Sequence, residues 1–191
     1  DNPYQLLYVS IIDQYKHQWH VVDAVAKLRD MGYPVVLNLV GPSYPASLKR
    51  LLKKINKLDK KMEFIRYHGP ISYNELHNVY KKSHLGIFAS SCENMPNILI
   101  ETMAAGLPIA CSNRGPMPEV LGSSGLYFNP EIPNEIYNAL EMFINNPKLR
   151  ADKAYASFND AQKYSWTTCA EETFSFLESV VIDYKKHICV E

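Results

Sequence analysis

The chain has 191 residues, of which 47% are hydrophobic and 21% charged, so it can bury the core of one domain and is not expected to be disordered. Its 20 basic and 20 acidic residues cancel, which argues against general nucleic-acid binding, since such binding normally shows as a basic excess. No apolar run reaches the roughly 20 residues of a membrane-spanning helix, and the first residues lack the pattern of a signal peptide.

The cysteines are far apart along the chain, and no two of them form a C-x-x-C pair. They are Cys92, Cys111, Cys169 and Cys189. This spacing argues against a zinc site or a redox motif, so we expect reduced thiols in a cytoplasmic protein. The sequence also has no Asp-x-Asp motif and no His/Asp cluster with the spacing of metal ligands. We therefore expect neither a metal nor another cofactor.

Apolar runs of strand length alternate with helical patterns along the chain. Strands are predicted at 5–12, 35–40, 62–67, 85–89, 108–111 and 125–128. Helices are predicted at 19–31, 44–58, 73–83, 96–105, 132–145 and 148–186, the last with a break near residues 164–165. Ser72 and Glu75 have the spacing of a capping box at the start of the third helix.

This alternation predicts an α/β fold, a Rossmann-like doubly wound parallel sheet of about six strands with a C-terminal helical tail. We expect residues 1–164 to form this domain and residues 165–191 to form a closing helix. Ligands of such sheets bind at the carboxyl ends of the strands. We therefore expect a site in the loops that follow Ile12, Val40, Tyr67, Ala89 and Cys111.

The second predicted helix is rich in basic residues on one side. These are Lys49, Arg50, Lys53, Lys54 and Lys57. They are compatible with nucleic-acid binding, but a solvated helix face is the preferred interpretation.

The segment from Glu93 to Glu101 follows a strand and begins a helix. Pro96 suits the first helical turn, where its missing N–H costs nothing, and the free N–H groups of Asn97 and Ile98 would face a phosphate or sugar hydroxyls. The two carboxylates suit a polyhydroxyl ligand, because each can accept hydrogen bonds from neighbouring hydroxyl groups. The alternatives are a helix-start carboxylate for Glu93 and an exposed helix residue for Glu101.

The spacing of Glu93 and Glu101, followed by the residues TMAAGLPI, resembles the E-x7-E signature of GT-B glycosyltransferases, in particular the large retaining family four. The stretch SNRGPMPEV at 112–120 is similar to the S-D-x-G-G-x-x-E-V of that family. Gly41 after the second strand and the residues YHGP at 67–70 match as well. The resemblance spans about residues 6–140.

The resemblance implies that Glu101 binds the ribose hydroxyls of a donor nucleotide and that Glu93 approaches the transferred sugar. Backbone amides of the segment that follows Glu93 would hold sugar hydroxyls and the distal phosphate. The residues of this segment are Met95, Pro96, Asn97 and Ile98.

Residues outside this segment also have implied places. Tyr67 and His68 lie where the family places the base of the donor, and so are candidates for flanking uracil or guanine. Glu119 matches a family position near the sugar, although it is also compatible with a simple helix-start carboxylate.

The first loop of the family has the form G-R-x-x-x-x-K-G, and here it is SIIDQYKH at 10–17. Lys16 occupies the lysine position, but Ile11 occupies the arginine position and cannot bind phosphate. Lys16 and the helix start would then stabilise the leaving diphosphate, with Arg114 or His17 as candidates to compensate. Without the resemblance, Lys16 would be a surface-loop lysine, and His17, like the other histidines 20 and 77, a solvent or packing residue.

The implied reaction moves a hexose from a UDP- or GDP-sugar to a glycan or lipid-linked acceptor, with retention at the anomeric carbon. A GT-B enzyme binds the acceptor on a first domain, so we expect this chain to be the second domain and to be inactive alone. Its closing helix would pack toward the first domain, and a cytoplasmic enzyme could associate peripherally with a membrane through that domain.

Two alternatives stay open. One is half of a nucleotide-sugar epimerase or of a sugar-phosphate synthase. The other is a non-catalytic nucleotide-sugar-binding module, which Ile11 in place of arginine favours.

Overall fold

The computed structural model describes residues 2–188, with side chains as far as residue 184. Six strands in this part of the chain form one parallel sheet: β1 (Tyr4–Val9), β2 (Val35–Val40), β3 (Ile65–Tyr67), β4 (Leu85–Phe88), β5 (Ile109–Ser112) and β6 (Leu126–Phe128). Their order is β3-β2-β1-β4-β5-β6, which reverses between β1 and β4. The predicted doubly wound sheet is therefore confirmed, and its switch point lies between β1 and β4.

Eight α-helices occur in the same described residues: α1 (Gln18–Asp30), α2 (Pro45–Leu58), α3 (Tyr73–Lys81), α4 (Asn97–Ala104), α5 (Met117–Leu121), α6 (Pro133–Asn145), α7 (Pro147–Ala161) and α8 (Trp166–Ile188). A short 3-10 helix, Gln14–Lys16, precedes α1. The predicted break near residues 164–165 separates α7 from α8.

The central strands are buried because helices cover both faces of the sheet. Every residue of β4 and β5 is buried, and β2 is buried except at Asn38. Near-continuous apolar strands are typical of parallel sheets covered on both faces. α1 packs against α2 and α6, while α4 packs against α5 and α7.

The chain divides into two compact units, residues 1–161 and residues 162 onward. The second unit contains α8, which exposes large apolar side chains: Trp166, Phe174, Phe176, Leu177, Val180, Val181, Ile182 and Tyr184. No helix in the described part of the chain is long and apolar enough to cross a membrane. Cys92, Cys111 and Cys169 are free thiols, and Cys189 lies outside the described residues.

Three local predictions are wrong. The strand predicted at 62–67 begins only at Ile65, because the Asp59 carboxylate accepts hydrogen bonds from the N–H groups of residues 63, 64 and 65 at 2.7–2.8 Å and holds them in a turn. β1 ends at Val9 instead of Ile12, which makes only an isolated bridge. Ser72 donates to the Glu75 carboxylate at 2.8 Å, and its side chain makes no capping hydrogen bond to the backbone, so the capping box does not form.

Candidate functional site

The loop after β1 places Lys16 in the interior. The Asp13 carboxylate accepts a hydrogen bond from the Gln14 N–H at 2.6 Å and starts the 3-10 helix, and the fully buried Tyr8 donates to the Lys16 carbonyl at 2.8 Å. His17 then adopts a left-handed conformation with φ of 52° and begins α1. As a result Lys16 is only 6% exposed, so its interpretation as a surface lysine is wrong.

Lys16 forms an ion pair with Glu93, which lies in the loop after β4. The two side chains are 8% and 15% exposed. The Lys16 ammonium also lies 5.0 Å from the ring centroid of Tyr15 and 5.5 Å from that of Phe88. A buried cation needs a partner charge, which Glu93 supplies. The pair lies in the loops that follow β1 and β4, at the switch point of the sheet. Glu93 therefore neutralises Lys16. It is not a carboxylate of the first turn of α4, because that turn has no acidic residue.

Hydrogen bonds also join the two loops. The Ser91 N–H donates to the Tyr15 carbonyl at 2.8 Å, and the Ser91 hydroxyl lies 2.9 Å from His17 Nε2. The His17 ring stacks on His20 with 5.4 Å between centroids, and burial, followed by the nearby His20, lowers the pKa of His17. His17 is a packing residue as well as a contact between the loops, and the sequence offered no signal for its bond to Ser91.

The start of α4 differs from the prediction in one respect. Pro96 lies just before the helix, and the Asn97 N–H donates to the Met95 carbonyl at 2.9 Å, so it is not free. The N–H groups of Leu99 and of residue 100 donate to the Pro96 carbonyl. The Ile98 N–H has no partner among the described residues. Pro96 is buried, while Met95 and Asn97 are exposed.

Glu101 lines a groove of about 640 Å³ between α3 and α4. Tyr80 and His77 of α3 line the same groove. Burial raises the pKa of Glu101, and the neighbouring Tyr80 hydroxyl partly offsets this rise. Glu101 is half-buried, so the alternative of an exposed helix residue is wrong. No ion pair neutralises its carboxylate within the described residues.

Gly41 brings the ends of β1, β2 and β3 together. Its φ is 140°, and a Cβ at this position would lie 2.1 Å from the Ser10 carbonyl oxygen. Its N–H donates to the Gly69 carbonyl at 2.9 Å, and its carbonyl accepts from the Tyr67 hydroxyl at 2.9 Å. Glycine is needed here because the backbones approach so closely.

The remaining predicted residues lie nearer the surface. His68 Nε2 lies 2.9 Å from the Asn38 side-chain oxygen, and burial, followed by Arg66, lowers the pKa of His68. Glu119 is exposed on α5, and Arg114 pairs with Glu131 at 3.6 Å on the surface. No group of three or more metal-ligating side chains is found in residues 2–184.

The family model of the glycosyl transferases group 1 matches residues 1–160. O-antigen chain mannosyltransferase B of Escherichia coli is 24% identical over 145 residues, covering 76% of this chain and 37% of that protein. D-inositol 3-phosphate glycosyltransferase of Streptomyces griseus is 23% identical over 148 residues, covering 76% of this chain and 30% of that protein. The chain thus matches about a third of the length of these two relatives.

Solved structures share the fold. Anabaena Alr3699/HepE in complex with UDP and glucose has a TM-score of 0.83 at 20% identity, covering 93% of this chain and 49% of that chain. The C-terminal domain of the group 1 glycosyl transferase LpcC from Francisella tularensis has a TM-score of 0.74 at 21% identity, covering 84% and 85%. The fold is that of the C-terminal half of a GT-B glycosyltransferase. With a family model that matches most of its length, the chain belongs to the glycosyl transferases group 1 family.

Proposed function

We propose that this chain is the donor-binding domain of a retaining glycosyltransferase that moves a hexose from a UDP- or GDP-sugar to a glycan or lipid-linked acceptor. The observation that carries the proposal is the buried Lys16–Glu93 pair at the switch point, together with the groove that Glu101 lines on the following helix. Family membership supports it, as does the solved relative HepE, which is described in complex with UDP and glucose.

The proposed chemistry is stabilisation of a leaving diphosphate. Lys16 supplies a positive charge in a site that excludes water, and the unpartnered Ile98 N–H and the N-terminal end of α4 supply a further favourable field. A diphosphate would compete with Glu93 for the Lys16 ammonium. The Glu93 carboxylate would then accept a hydrogen bond from the transferred hexose.

The nucleoside part of the donor would occupy the groove and the neighbouring strand ends. Glu101 accepts hydrogen bonds from ribose hydroxyls in this proposal, and Tyr67 and His68 flank the base. Gly41 allows the close approach of strands that shapes the floor. Exposed backbone around Met95 would contact the sugar, and Glu119 would lie at its periphery.

The rest of the enzyme would supply the acceptor. We propose that the chain alone binds the nucleotide sugar without turnover, because the cleft that holds both substrates forms only against an acceptor domain. Neither a metal nor a cofactor is part of the proposal. A cytoplasmic location, with membrane contact through the acceptor domain, stays a prediction.

One observation favours a second candidate, a non-catalytic module that binds a nucleotide sugar. Ile11 stands where the resemblance expects an arginine, so a single lysine faces the diphosphate. Product analysis with the full-length protein separates this candidate from a transferase, and a transferase from an epimerase or a sugar-phosphate synthase.

Calorimetric titration of the chain with UDP, GDP and ADP tests the proposal. We expect UDP or GDP to bind with a Kd below about 1 mM. The Lys16→Met variant should bind the diphosphates more weakly while its affinity for the nucleosides uridine and guanosine stays the same. If none of the three nucleotides binds at millimolar concentration, the donor-domain proposal is wrong.

A further inference from the structure

The charge of this chain is unevenly distributed, although its net charge is zero. Eight of the 20 basic residues lie between Lys49 and Arg66, a stretch with only two acidic residues, Asp59 and Glu63. This stretch therefore carries a net charge of +6, and the rest of the chain carries −6. The zero net charge of the chain hides this local excess, which needs a physical explanation.

Five of these eight basic residues lie on the outer side of α2 or in the turn that follows it. The helix buries Leu51 and Ile55 against the domain. Lys49, Lys53 and Lys57 are spaced four residues apart and are all exposed, so they form a stripe on the opposite side. Lys60 and Lys61 follow in the exposed turn that leads to the edge strand β3. We call the five lysines 49, 53, 57, 60 and 61 the basic face.

The acidic residues nearby leave most of the basic face unneutralised. The Asp59 carboxylate is occupied by three backbone N–H groups, and Asp23 pairs with Lys54 at 2.6 Å. Glu63 lies 3.9 Å from Lys61, in an exposed pair. The basic-face lysines on α2 and Lys60 have no acidic side chain within 4 Å in the described part of the chain.

A solvated helix face would not need this arrangement. Like charges four residues apart on a helix repel each other, and exposed helices usually intersperse both signs. Helix α7 follows that rule, since Asp152 comes four residues after Lys148 in the sequence. α2 instead has no acidic residue at all, so an anionic surface would relieve the repulsion along its outer side.

Apolar side chains among the lysines point to the nature of that surface. Leu52 is 41% exposed and Met62 is 61% exposed. Apolar residues beside lysines suit the boundary between lipid headgroups and acyl chains. Single-stranded nucleic acid would favour aromatic residues for stacking, and α2 contains none. We propose that the basic face, with Leu52 and Met62, binds the surface of an anionic lipid bilayer.

This proposal does not depend on the proposed transferase function, and co-sedimentation of the full chain with lipid vesicles tests it. One set of vesicles contains phosphatidylcholine alone, and the other contains about a third phosphatidylglycerol. We expect binding to the anionic vesicles only, and we expect it to weaken steeply between about 0.05 and 0.5 M NaCl. Equal binding to both sets would overturn the proposal, because it would point to the exposed apolar side chains of α8.

Charge-reversal variants locate the contact. Lys53→Glu with Lys57→Glu should weaken binding to anionic vesicles by at least about tenfold, because each lysine near such a surface strengthens the attraction and each glutamate opposes it. The matched control, Lys82→Glu with Lys148→Glu, changes the net charge by the same amount at exposed positions just after α3 and on α7, and should change binding by less than about twofold. Equal losses in the two double variants would contradict a specific face.

Three further measurements distinguish a loss of the proposed contact from unfolding and from nucleic-acid binding. Thermal unfolding and UDP titration should be unchanged in the double variants, and Lys53→Gln with Lys57→Gln replaces the glutamate pair if that variant unfolds. Duplex DNA at equal phosphate concentration is the competitor. Displacement of the chain from the vesicles by DNA would identify a nucleic-acid surface and overturn the lipid proposal.

Discussion

The two glutamates of the candidate site differ in burial and in whether an ion pair neutralises their charge. Glu93 is nearly buried and its charge is neutralised by Lys16, in a place where the loops after β1 and β4 are hydrogen-bonded to each other. Glu101 is half-buried in an open groove, carries no ion pair among the described residues, and has a pKa that burial raises. In the chain without a ligand, one carboxylate is therefore held in an ion pair, and the other, eight positions later, is not.

The difference indicates how a donor would enter. The Glu101 region has a carboxylate without an ion pair among the described residues and an open volume, so a ribose would bind there with little rearrangement. The Lys16–Glu93 region is closed by its own charges, and a diphosphate must compete with Glu93. In the proposed function, binding of the nucleoside and activation of the diphosphate would thus be separable steps, and the following variants test that separation.

The largest expected effect is at Gly41, where the ends of β1, β2 and β3 meet. Gly41→Ala should lower the free energy of unfolding by about 4 kcal/mol, because the new Cβ would lie 2.1 Å from the Ser10 carbonyl oxygen and the φ of 140° is strained for alanine. Urea unfolding measures this. Gly69→Ala is the control, since its Cβ would meet nothing within 4 Å at a φ of 71°, and should cost only about 1–2 kcal/mol. Equal losses would show that the close approach does not matter.

Breaking the ion pair should have the next largest effect. Lys16→Met leaves the Glu93 carboxylate unpaired at 15% exposure, and should lower the free energy of unfolding by about 3 kcal/mol. The double variant Lys16→Met with Glu93→Gln removes both charges and should recover most of this loss. If the single and double variants are equally stable, the pair is not a closed unit in solution.

The sequence predicts this region only in part. The strand β2 follows from its apolar residues, which only Asn38 interrupts, and the alternation of elements places Glu93 in the loop after a strand and Glu101 on the following helix. The partners of Lys16 and His17 lie 77 and 74 residues away, and depend on β1 lying beside β4. No local sequence pattern predicts that β1 and β4 are neighbours in the sheet. The turn at Asn97 and the start of β3 at Ile65 do not follow from the sequence for a related reason, because a few individual hydrogen bonds, including three to the Asp59 carboxylate, decide them.

The open region is tested by Glu101→Ala. Loss of the carboxylate should weaken UDP or GDP binding by roughly 1–3 kcal/mol, as expected for a hydrogen bond to a charged group. The free energy of unfolding should change by less than about 1 kcal/mol, since no ion pair is lost. Calorimetry with the control Glu75→Ala, on the exposed part of α3, should show unchanged affinity. An unchanged affinity for Glu101→Ala would remove this residue from the ribose.

A smaller effect follows from the raised pKa of Glu101. A carboxyl whose pKa is higher in the folded state stabilises the fold below its unfolded pKa, and this contribution is lost as pH rises through the folded pKa. The stability of the native chain relative to Glu101→Gln should therefore fall as pH rises above about 4.3, the ordinary glutamate value, until the folded pKa is passed. Urea unfolding at several pH values measures it. A relative stability that rises with pH would mean that the carboxylate is stabilised in the fold.

The smallest expected effect is at His17, and its direction is what matters. His17→Gly relieves a left-handed conformation that costs a non-glycine residue about 1–2 kcal/mol, but loses a hydrogen bond to Ser91 worth about 0.5–1.5 kcal/mol. The two terms nearly cancel, so the free energy of unfolding should change by less than about 1 kcal/mol. His17→Ala keeps the strained φ and loses the same bond. It should be less stable than His17→Gly by about 1 kcal/mol, measured by urea unfolding. The reverse order would mean that this loop adopts another backbone conformation in solution, and the closed state of the Glu93 region would then rest on the ion pair alone.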